Sequence, residues 1–145
     1  MNYWDTSALL KLYVPEEDSG AFLDLIAASD EPIATSAIAT AEVLCAVNRK
    51  ERAGDLKRGG AAAAFRRFVA DCDQGRIVPI PYGTQVLEVA QAVMRVALHR
   101  SRPLFLRSLD LIHVASALTI HAGSVVATDA RLREVAALVK LRLLP

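Results

Sequence analysis

The chain has 145 residues, of which 53% are hydrophobic, and its 17 basic and 16 acidic side chains give a formal net charge of +1. This length suits one domain with a packed core, so we expect a single domain over residues 1–145. The apolar stretches are too short to span a membrane and the start lacks an export-signal pattern, so we expect a cytoplasmic protein without a membrane partner.

In the first half of the chain, short apolar segments alternate with longer stretches of helical periodicity. In chain order, we predict a strand at residues 2–5, a helix ended by Pro15, a helix at 17–28, a strand at 32–35 and helices at 38–52 and 57–72. Gly54 stands where a helix would stop in a left-handed conformation.

The second half continues this alternation. Its predicted elements are a strand at residues 77–80, a helix at 84–99, a helix that Ser108 caps and that ends before Gly123, a strand at 125–127, a helix at 130–138 and a strand at 140–143. Pro79 and Pro81 suit a strand at the edge of a sheet. Strands that alternate with helices throughout favour an α/β fold with a mainly parallel sheet.

Charge is distributed unevenly along the chain. Residues 1–48 carry one lysine against eight acids, whereas residues 49–107 carry twelve basic residues against five acids. This distribution suits a metal pocket beside a phosphate-binding surface, although solvated helix faces would give the same pattern.

The two cysteines show neither a metal-site nor a disulfide pattern. Cys45 and Cys72 lie far apart in the sequence, and no histidine cluster is near either of them. We therefore predict neither a disulfide nor a structural zinc site, and we expect both thiols to be buried as small apolar groups.

Four acidic residues lie where an α/β fold places its chemistry or where burial makes a charge costly. Asp5 and Asp129 each end a predicted strand, and Asp110 opens a helix. Glu42 lies inside a helix with apolar neighbours, where an ionised carboxylate needs a compensating cation. Carboxylate oxygens are the ligands that Mg²⁺ takes, so the set indicates a magnesium site.

Each of these acids also has a structural alternative. Asp5 and Asp129 would cap the helices that follow them, and Asp110 would favour the dipole at its helix start. Glu42 would pair with a neighbouring basic side chain or point outward. All four together favour the functional interpretation.

The acids fall within four short motifs. In chain order these are Asp5–Tyr13, Thr40–Val43, Leu109–Ala115 and Ala127–Leu132. Their order and spacing resemble those of PIN-domain proteins over essentially the whole chain, and especially of VapC-type toxins from bacterial toxin–antitoxin pairs. The resemblance implies a three-layer α/β/α domain with a mainly parallel five-stranded sheet of order 3-2-1-4-5. It also implies a metal-dependent endoribonuclease site at the carboxyl ends of the strands.

The same resemblance implies roles for individual residues. The metal-binding and catalytic acids would be Asp5, Glu42, Asp110 and Asp129, holding one or two Mg²⁺ ions, or Mn²⁺ in their place. Polar supports for these acids, with helix capping as the alternative role, would be Thr6, Ser7 and Thr128.

Arginines in the loop before the third motif are candidate RNA contacts. We expect Arg100, Arg102 and Arg107 to meet phosphates there, with helix-end and solubility roles as the alternatives. His113, three residues after Asp110, is left out of the site because a lone histidine on an apolar helix is usually packed or exposed.

The resemblance also implies partners. These are an RNA substrate, a second copy of the chain in a homodimer, and a small antitoxin protein. The antitoxin would bind a groove of exposed apolar surface near Leu9, Leu12, Phe22 and Ile26. The alternative is that these four residues belong to the core. The alternative function is a non-catalytic PIN-like module that binds RNA or protein, but such a scaffold has no need for four carboxylates that repel one another.

Overall fold

The computed structural model describes residues 1–99, 104 and 106–145. The strands are β1 (Asn2–Trp4), β2 (Ile33–Ser36), β3 (Ile77–Ile80), β4 (Ser124–Val126) and β5 (Leu143–Leu144). The helices are α1 (Thr6–Tyr13), α2 (Ser19–Ala27), α3 (Ala39–Ala53), α4 (Gly60–Asp73), α5 (Thr84–Leu98), α6 (Ser108–Thr119) and α7 (Ala130–Leu138). None of these helices combines the length and apolar character needed to span a bilayer.

The five strands form one parallel sheet in the order β3-β2-β1-β4-β5. This confirms both the expected α/β class and the expected strand order. β3 lies at the edge, as Pro79 within it and Pro81 after it suggested, because proline has no backbone N–H to donate to a second neighbouring strand. β1 lies in the middle, so the residues that follow it are surrounded by the rest of the sheet.

Successive residues of a strand point to opposite faces of the sheet, and this divides the core into two layers. Trp4 and Val126 pack with residues of α1 to α4 on one face. Tyr3 and Val125 pack with residues of α5, α6 and α7 on the other. The result is the expected three-layer α/β/α arrangement.

The four residues expected either in an antitoxin groove or in the core fall into two groups. Leu9 and Phe22 are buried in the core, where Phe22 meets Trp4 edge to face. Leu12 and Ile26 are partly buried against the same cluster. Leu9 and Phe22 are thus core residues, whereas Leu12 and Ile26 also line a cavity of about 660 Å³.

Several element boundaries differ by one to three residues from the sequence-based expectation, and backbone conformation explains two of these differences. Ser108 is the first residue of α6 and not its cap, since the residue before it, Arg107, has the extended conformation of an N-cap and no side-chain capping bond. The last strand begins at Leu143 rather than at residue 140, because Lys140 takes a left-handed conformation with φ 61° that turns the chain after α7.

The expected burial of both cysteines is also wrong. Both are free thiols, but Cys45 is exposed and Cys72 is only partly buried. In α3 the buried stripe is formed by Ala39, Val43, Ala46 and Val47. Cys45 falls between these positions and therefore faces outward.

Two glycines offer a matched test of backbone conformation. Gly54 ends α3 with φ +87°, whereas Gly20 lies in the first turn of α2, and a Cβ at either position would meet open space. We expect Gly54→Ala to lower the free energy of unfolding by about 1 to 2 kcal/mol, because a side chain disfavours the left-handed region. Gly20→Ala should raise it by up to about 1 kcal/mol, because alanine is the better helix former.

Denaturant unfolding of the two variants measures both effects. The same glycine-to-alanine change should lower the free energy of unfolding at position 54 and raise it at position 20. A stabilising Gly54→Ala substitution would contradict the left-handed conformation at the end of α3.

Candidate active site

The parallel sheet brings Asp5 and Asp129 to one edge. β1 and β4 are neighbours with Trp4 opposite Val126, so the segments that follow them leave the sheet side by side. The backbone amide of Asp5 donates to the carbonyl of Val126 at 3.1 Å, which extends this pairing by one residue. The carboxyl ends of β1 and β4 therefore place two acids on one side of the molecule.

Both aspartates also cap helices. The Asp5 carboxylate accepts a hydrogen bond from the Ala8 amide at 3.1 Å at the start of α1. The Asp129 carboxylate accepts from the amides of Arg131 at 2.8 Å and Leu132 at 3.3 Å at the start of α7. The capping role and a role in the site are therefore compatible, since each carboxylate has further oxygen lone pairs.

One cavity of about 840 Å³ is lined by four carboxylates from four different helix starts. They are Asp5, Glu42, Asp110 and Asp129. The acids that the sequence analysis singled out are thus brought together by the fold. Cys45 and Arg49 of α3 line the same cavity and were not anticipated.

Glu42 is held by two donors inside this cavity. Thr6 Oγ1 donates to Glu42 Oε2 at 2.5 Å, and His113 Nε2 lies 2.7 Å from the same oxygen. Burial alone would raise the pKa of Glu42, but the hydrogen bonds from His113 and Thr6 outweigh it and the pKa is lowered. This carboxylate is therefore kept in its charged form.

His113 itself is fixed by a buried tyrosine. The Tyr3 hydroxyl lies 2.8 Å from His113 Nδ1, and both side chains are buried. Burial raises the pKa of Tyr3 far above its usual range, so the hydroxyl keeps its proton and can donate it to Nδ1. With Nδ1 accepting from Tyr3, the proton on Nε2 faces Glu42 and can be donated to it.

Asp110 and Asp129 share one arginine. Arg107 Nε donates to Asp110 Oδ2 at 2.7 Å, and its Nη2 donates to Asp110 Oδ1 at 2.8 Å and to Asp129 Oδ2 at 2.8 Å. Burial raises the pKa of Asp129, but the bond from Arg107 and the amides of α7 lower it further than burial raises it. The fork of the guanidinium thus neutralises two acids at once.

Asp5 lacks such a cation. Its side chain forms no salt bridge within the part of the chain that the structure describes, and it is only 4% exposed. Burial therefore raises the pKa of Asp5, and the hydrogen bonds from Ser7 and Ala8 offset only part of this effect. Among Asp5, Glu42 and Asp129, only Asp5 has a raised pKa.

Ser7 connects the two strand ends. Its hydroxyl donates to Asp5 Oδ1 at 2.8 Å and accepts from the amides of Thr128 at 2.9 Å and Asp129 at 3.3 Å. Thr6 and Ser7 therefore contact the acids through their side chains, whereas Thr128 takes part through its backbone amide. Among the arginines proposed as RNA contacts, Arg107 lines the cavity, and residues 100 and 102 lie outside the described residues.

The carboxylates in the cavity are suitable ligands for a hard divalent cation, but two of them are bonded to Arg107. Four carboxylates supply oxygen ligands, and histidine or thiolate sites would suit softer metals. Yet no three His, Cys, Asp or Glu side chains of the described residues are close enough together to hold an ion. The carboxylates of Asp110 and Asp129 instead hold Arg107, so a cation bound by these two acids would have to take the place of this guanidinium.

The role of His113 was missed at the sequence level. Asp110 and His113 are three residues apart on α6, a spacing that places both on one helical face. That spacing was a usable signal. The contact of His113 with Tyr3 could not be predicted from the sequence, because it depends on the face of β1 to which Tyr3 points.

Removal of the His113 side chain tests its structural part. We expect His113→Ala to lower the free energy of unfolding by about 1 to 3 kcal/mol, because it leaves the buried Tyr3 hydroxyl without its partner. His113→Gln should lose less, since its amide can still donate to Glu42. The exposed His99, at the end of α5, is the control, and thermal unfolding of His99→Ala should match wild type. An unchanged melting temperature for His113→Ala would contradict the buried network.

Glu42 should make stability depend on pH. Because the folded pKa of Glu42 is lowered, its contribution is fully present above the unfolded value and is lost as the pH falls through the folded value. Metal-free Glu42→Gln should therefore lose less stability than wild type on acidification. Thermal melts over an acidic pH series measure this, with Glu88→Gln on the exposed face of α5 as control. Parallel curves for wild type and Glu42→Gln would refute it.

Comparison with known proteins gives one family and a set of similar folds. The PIN domain family model matches residues 3–138. Curated proteins gave no match. One similar fold is that of VapBC2 from Rickettsia felis, solved in complex with a DNA fragment from the VapBC2 promoter. The TM-score is 0.70 at 16% identity, and the match covers 99% of this chain and 98% of that chain.

Two further structures share the fold. FitAcB from Neisseria gonorrhoeae has a TM-score of 0.67 at 16% identity, with 100% of this chain and 97% of that chain covered. VapBC-1 from nontypeable Haemophilus influenzae has a TM-score of 0.67 at 13% identity, with 99% and 97% covered. At these identities the likeness shows the fold, whereas the family model spans most of the sequence. The chain therefore belongs to the PIN domain family.

Proposed function

We propose that this protein is a metal-dependent endoribonuclease, a hydrolase that cleaves RNA phosphodiester bonds within a single nuclease domain over residues 1–145. PIN domain proteins are generally nucleases. The observation that carries the proposal is that four carboxylates, distant in sequence, line one cavity at the carboxyl edge of a parallel sheet. Like charges gathered in this way are costly unless they hold a cation.

The residues that would hold Mg²⁺, or Mn²⁺ in its place, are Asp5, Glu42, Asp110 and Asp129. The chemistry supplied by such an ion is acidification of a water molecule and neutralisation of charge on phosphoryl oxygens. The protein's own part is to hold the carboxylates in place. Helix caps and Ser7 orient Asp5 and Asp129, and Thr6 and His113 orient Glu42.

RNA would approach along basic surface beside this cavity. Arg49 is exposed on α3 and Arg107 is 42% exposed, and both line the cavity. Guanidinium groups suit phosphates because their donors match two oxygens at once. We propose Arg107 as an RNA contact, together with Arg100 and Arg102 from the preceding segment of the sequence.

We further propose that the protein is the toxin of a VapC-type toxin–antitoxin pair. Its motifs resemble those of VapC-type toxins, and structures of VapBC2 and VapBC-1 share its fold over nearly the whole chain. Under this proposal it acts in the cytoplasm, forms a homodimer and is held inactive by a small cognate antitoxin.

The alternative is a non-catalytic PIN-like module that binds RNA or protein. One observation favours it: Arg107 and His113 already contact three of the four acids, so those acids are accounted for without a metal. Against it, Asp5 is buried and has no basic partner among the described residues. The cap that Asp5 supplies to α1 does not require a charge, since a neutral side chain such as asparagine would also supply it.

Cleavage of a structured RNA by the purified chain, free of any antitoxin, separates the two. We expect cutting with Mg²⁺ or Mn²⁺ and none with a chelator. Asp5→Asn should cut at least about 100-fold more slowly than wild type, because it removes the charge of one proposed metal ligand. Asparagine is a good helix cap, so the start of α1 should be preserved.

The matched control is Asp24→Asn. Asp24 is exposed on α2 and lies outside the cavity, so this variant should cut at the wild-type rate. Wild-type cutting by Asp5→Asn, or undiminished cutting in chelator, would exclude the proposed mechanism. RNA binding without cutting at any metal concentration would support the non-catalytic module instead.

A further inference from the structure

Arg107 occupies the oxygens that a divalent cation would need. Its guanidinium bonds to both carboxylate oxygens of Asp110 and to one of Asp129, at 2.7 to 2.8 Å. We propose that Arg107 is an internal counter-cation of the acidic cavity, and that a divalent ion binds Asp110 and Asp129 only in exchange for it. This inference rests on the proposed metal-dependent function and adds a residue that regulates metal binding.

The burial of Asp110 explains why a counter-cation is present. Asp110 is 5% exposed, and a buried carboxylate without a partner is strongly destabilising. The bidentate contact with Arg107 satisfies both of its oxygens. The cavity is thus electrically compensated at this end by the protein's own side chain.

The guanidinium and the divalent ion exclude one another for two reasons. Mg²⁺ needs the same oxygens at about 2.0 to 2.1 Å, a distance that leaves no room for the hydrogen-bonded fork. A guanidinium held beside a doubly charged ion would also be repelled strongly where little water screens the charges. Binding of one therefore requires departure of the other.

The geometry allows Arg107 to leave without disturbing the fold. It precedes α6 in an extended conformation, with φ −81° and ψ 149°, and makes no side-chain cap to the helix. Its side chain is 42% exposed and that of Asp129 is 33% exposed, whereas the Asp110 side chain is 6% exposed. The guanidinium therefore lies on the open side of the buried acid and can turn into solvent about its own torsions.

A displaced Arg107 would remain at the mouth of the cavity. There a phosphate offers the guanidinium a new anion in place of the one it has lost. RNA and metal would then each favour the binding of the other, since each stabilises the arrangement in which Arg107 has left the carboxylates.

Metal binding by the chain of residues 1–145 without RNA tests the exchange directly. We expect Arg107→Gln to bind Mn²⁺ at least about fivefold more tightly than wild type in calorimetry, because a competing cation is gone. The control is Arg131→Gln, which removes the same charge close to Asp129. The Arg131 side chain makes no bond to a carboxylate among the described residues, so its variant should bind Mn²⁺ much as wild type does.

Thermal unfolding gives an independent readout. Without metal, Arg107→Gln should melt below wild type, because buried Asp110 loses its partner. Added Mn²⁺ should then raise its melting temperature by more than it raises that of wild type. If Arg107→Gln does not fold, Arg107→Lys should show an intermediate Mn²⁺ affinity, since an ammonium group cannot bridge the two acids in the same bidentate way.

The outcomes separate this inference from the proposed function. Equal or weaker Mn²⁺ binding by Arg107→Gln, with binding by wild type, would overturn the exchange and leave the metal-dependent nuclease standing. Absence of Mn²⁺ binding to wild type and variants alike would overturn both.

Discussion

Repulsion between carboxylates at the carboxyl edge of β1 and β4 is the constraint on which the site depends. The fold brings four acids to one cavity, and each is compensated differently. Asp5 relies on hydrogen bonds from Ser7 and an amide of α1, and Glu42 on Thr6 and His113. Asp110 and Asp129 share Arg107. The side chains around the cavity are thus those that oppose this repulsion.

Much of the fold and the choice of acids followed from the sequence for physical reasons. Alternation of short apolar segments with amphipathic stretches favours an α/β fold with a mainly parallel sheet, and the resemblance to PIN-domain proteins supplied the three layers and the strand order. Asp5 and Asp129 stood out because each directly follows a buried strand, and the carboxyl ends of parallel strands are where binding sites form. Glu42 stood out because its neighbours along α3 are apolar.

Other features depend on distances that no local pattern encodes. The expected groove was wrong at Leu9 and Phe22, because an apolar stripe looks the same in sequence whether a helix or solvent covers it, and these two side chains are buried. Cys45 was misjudged because its position on α3 differs from the buried stripe by a single residue. Arg107 was expected to meet phosphate, but its nearest anions are two carboxylates, one of them from a segment 22 positions away.

The hydroxyl of Ser7 joins residues that are translated far apart in time. It bonds to Asp5 near the start and to the amides of Thr128 and Asp129 near the end, across a separation of about 120 positions. A nascent chain on the ribosome therefore has no complete acidic cavity until the segment carrying β4 and Asp129 has emerged. Under the proposed activity, the growing chain stays harmless to RNA until that segment has been made and has folded against β1.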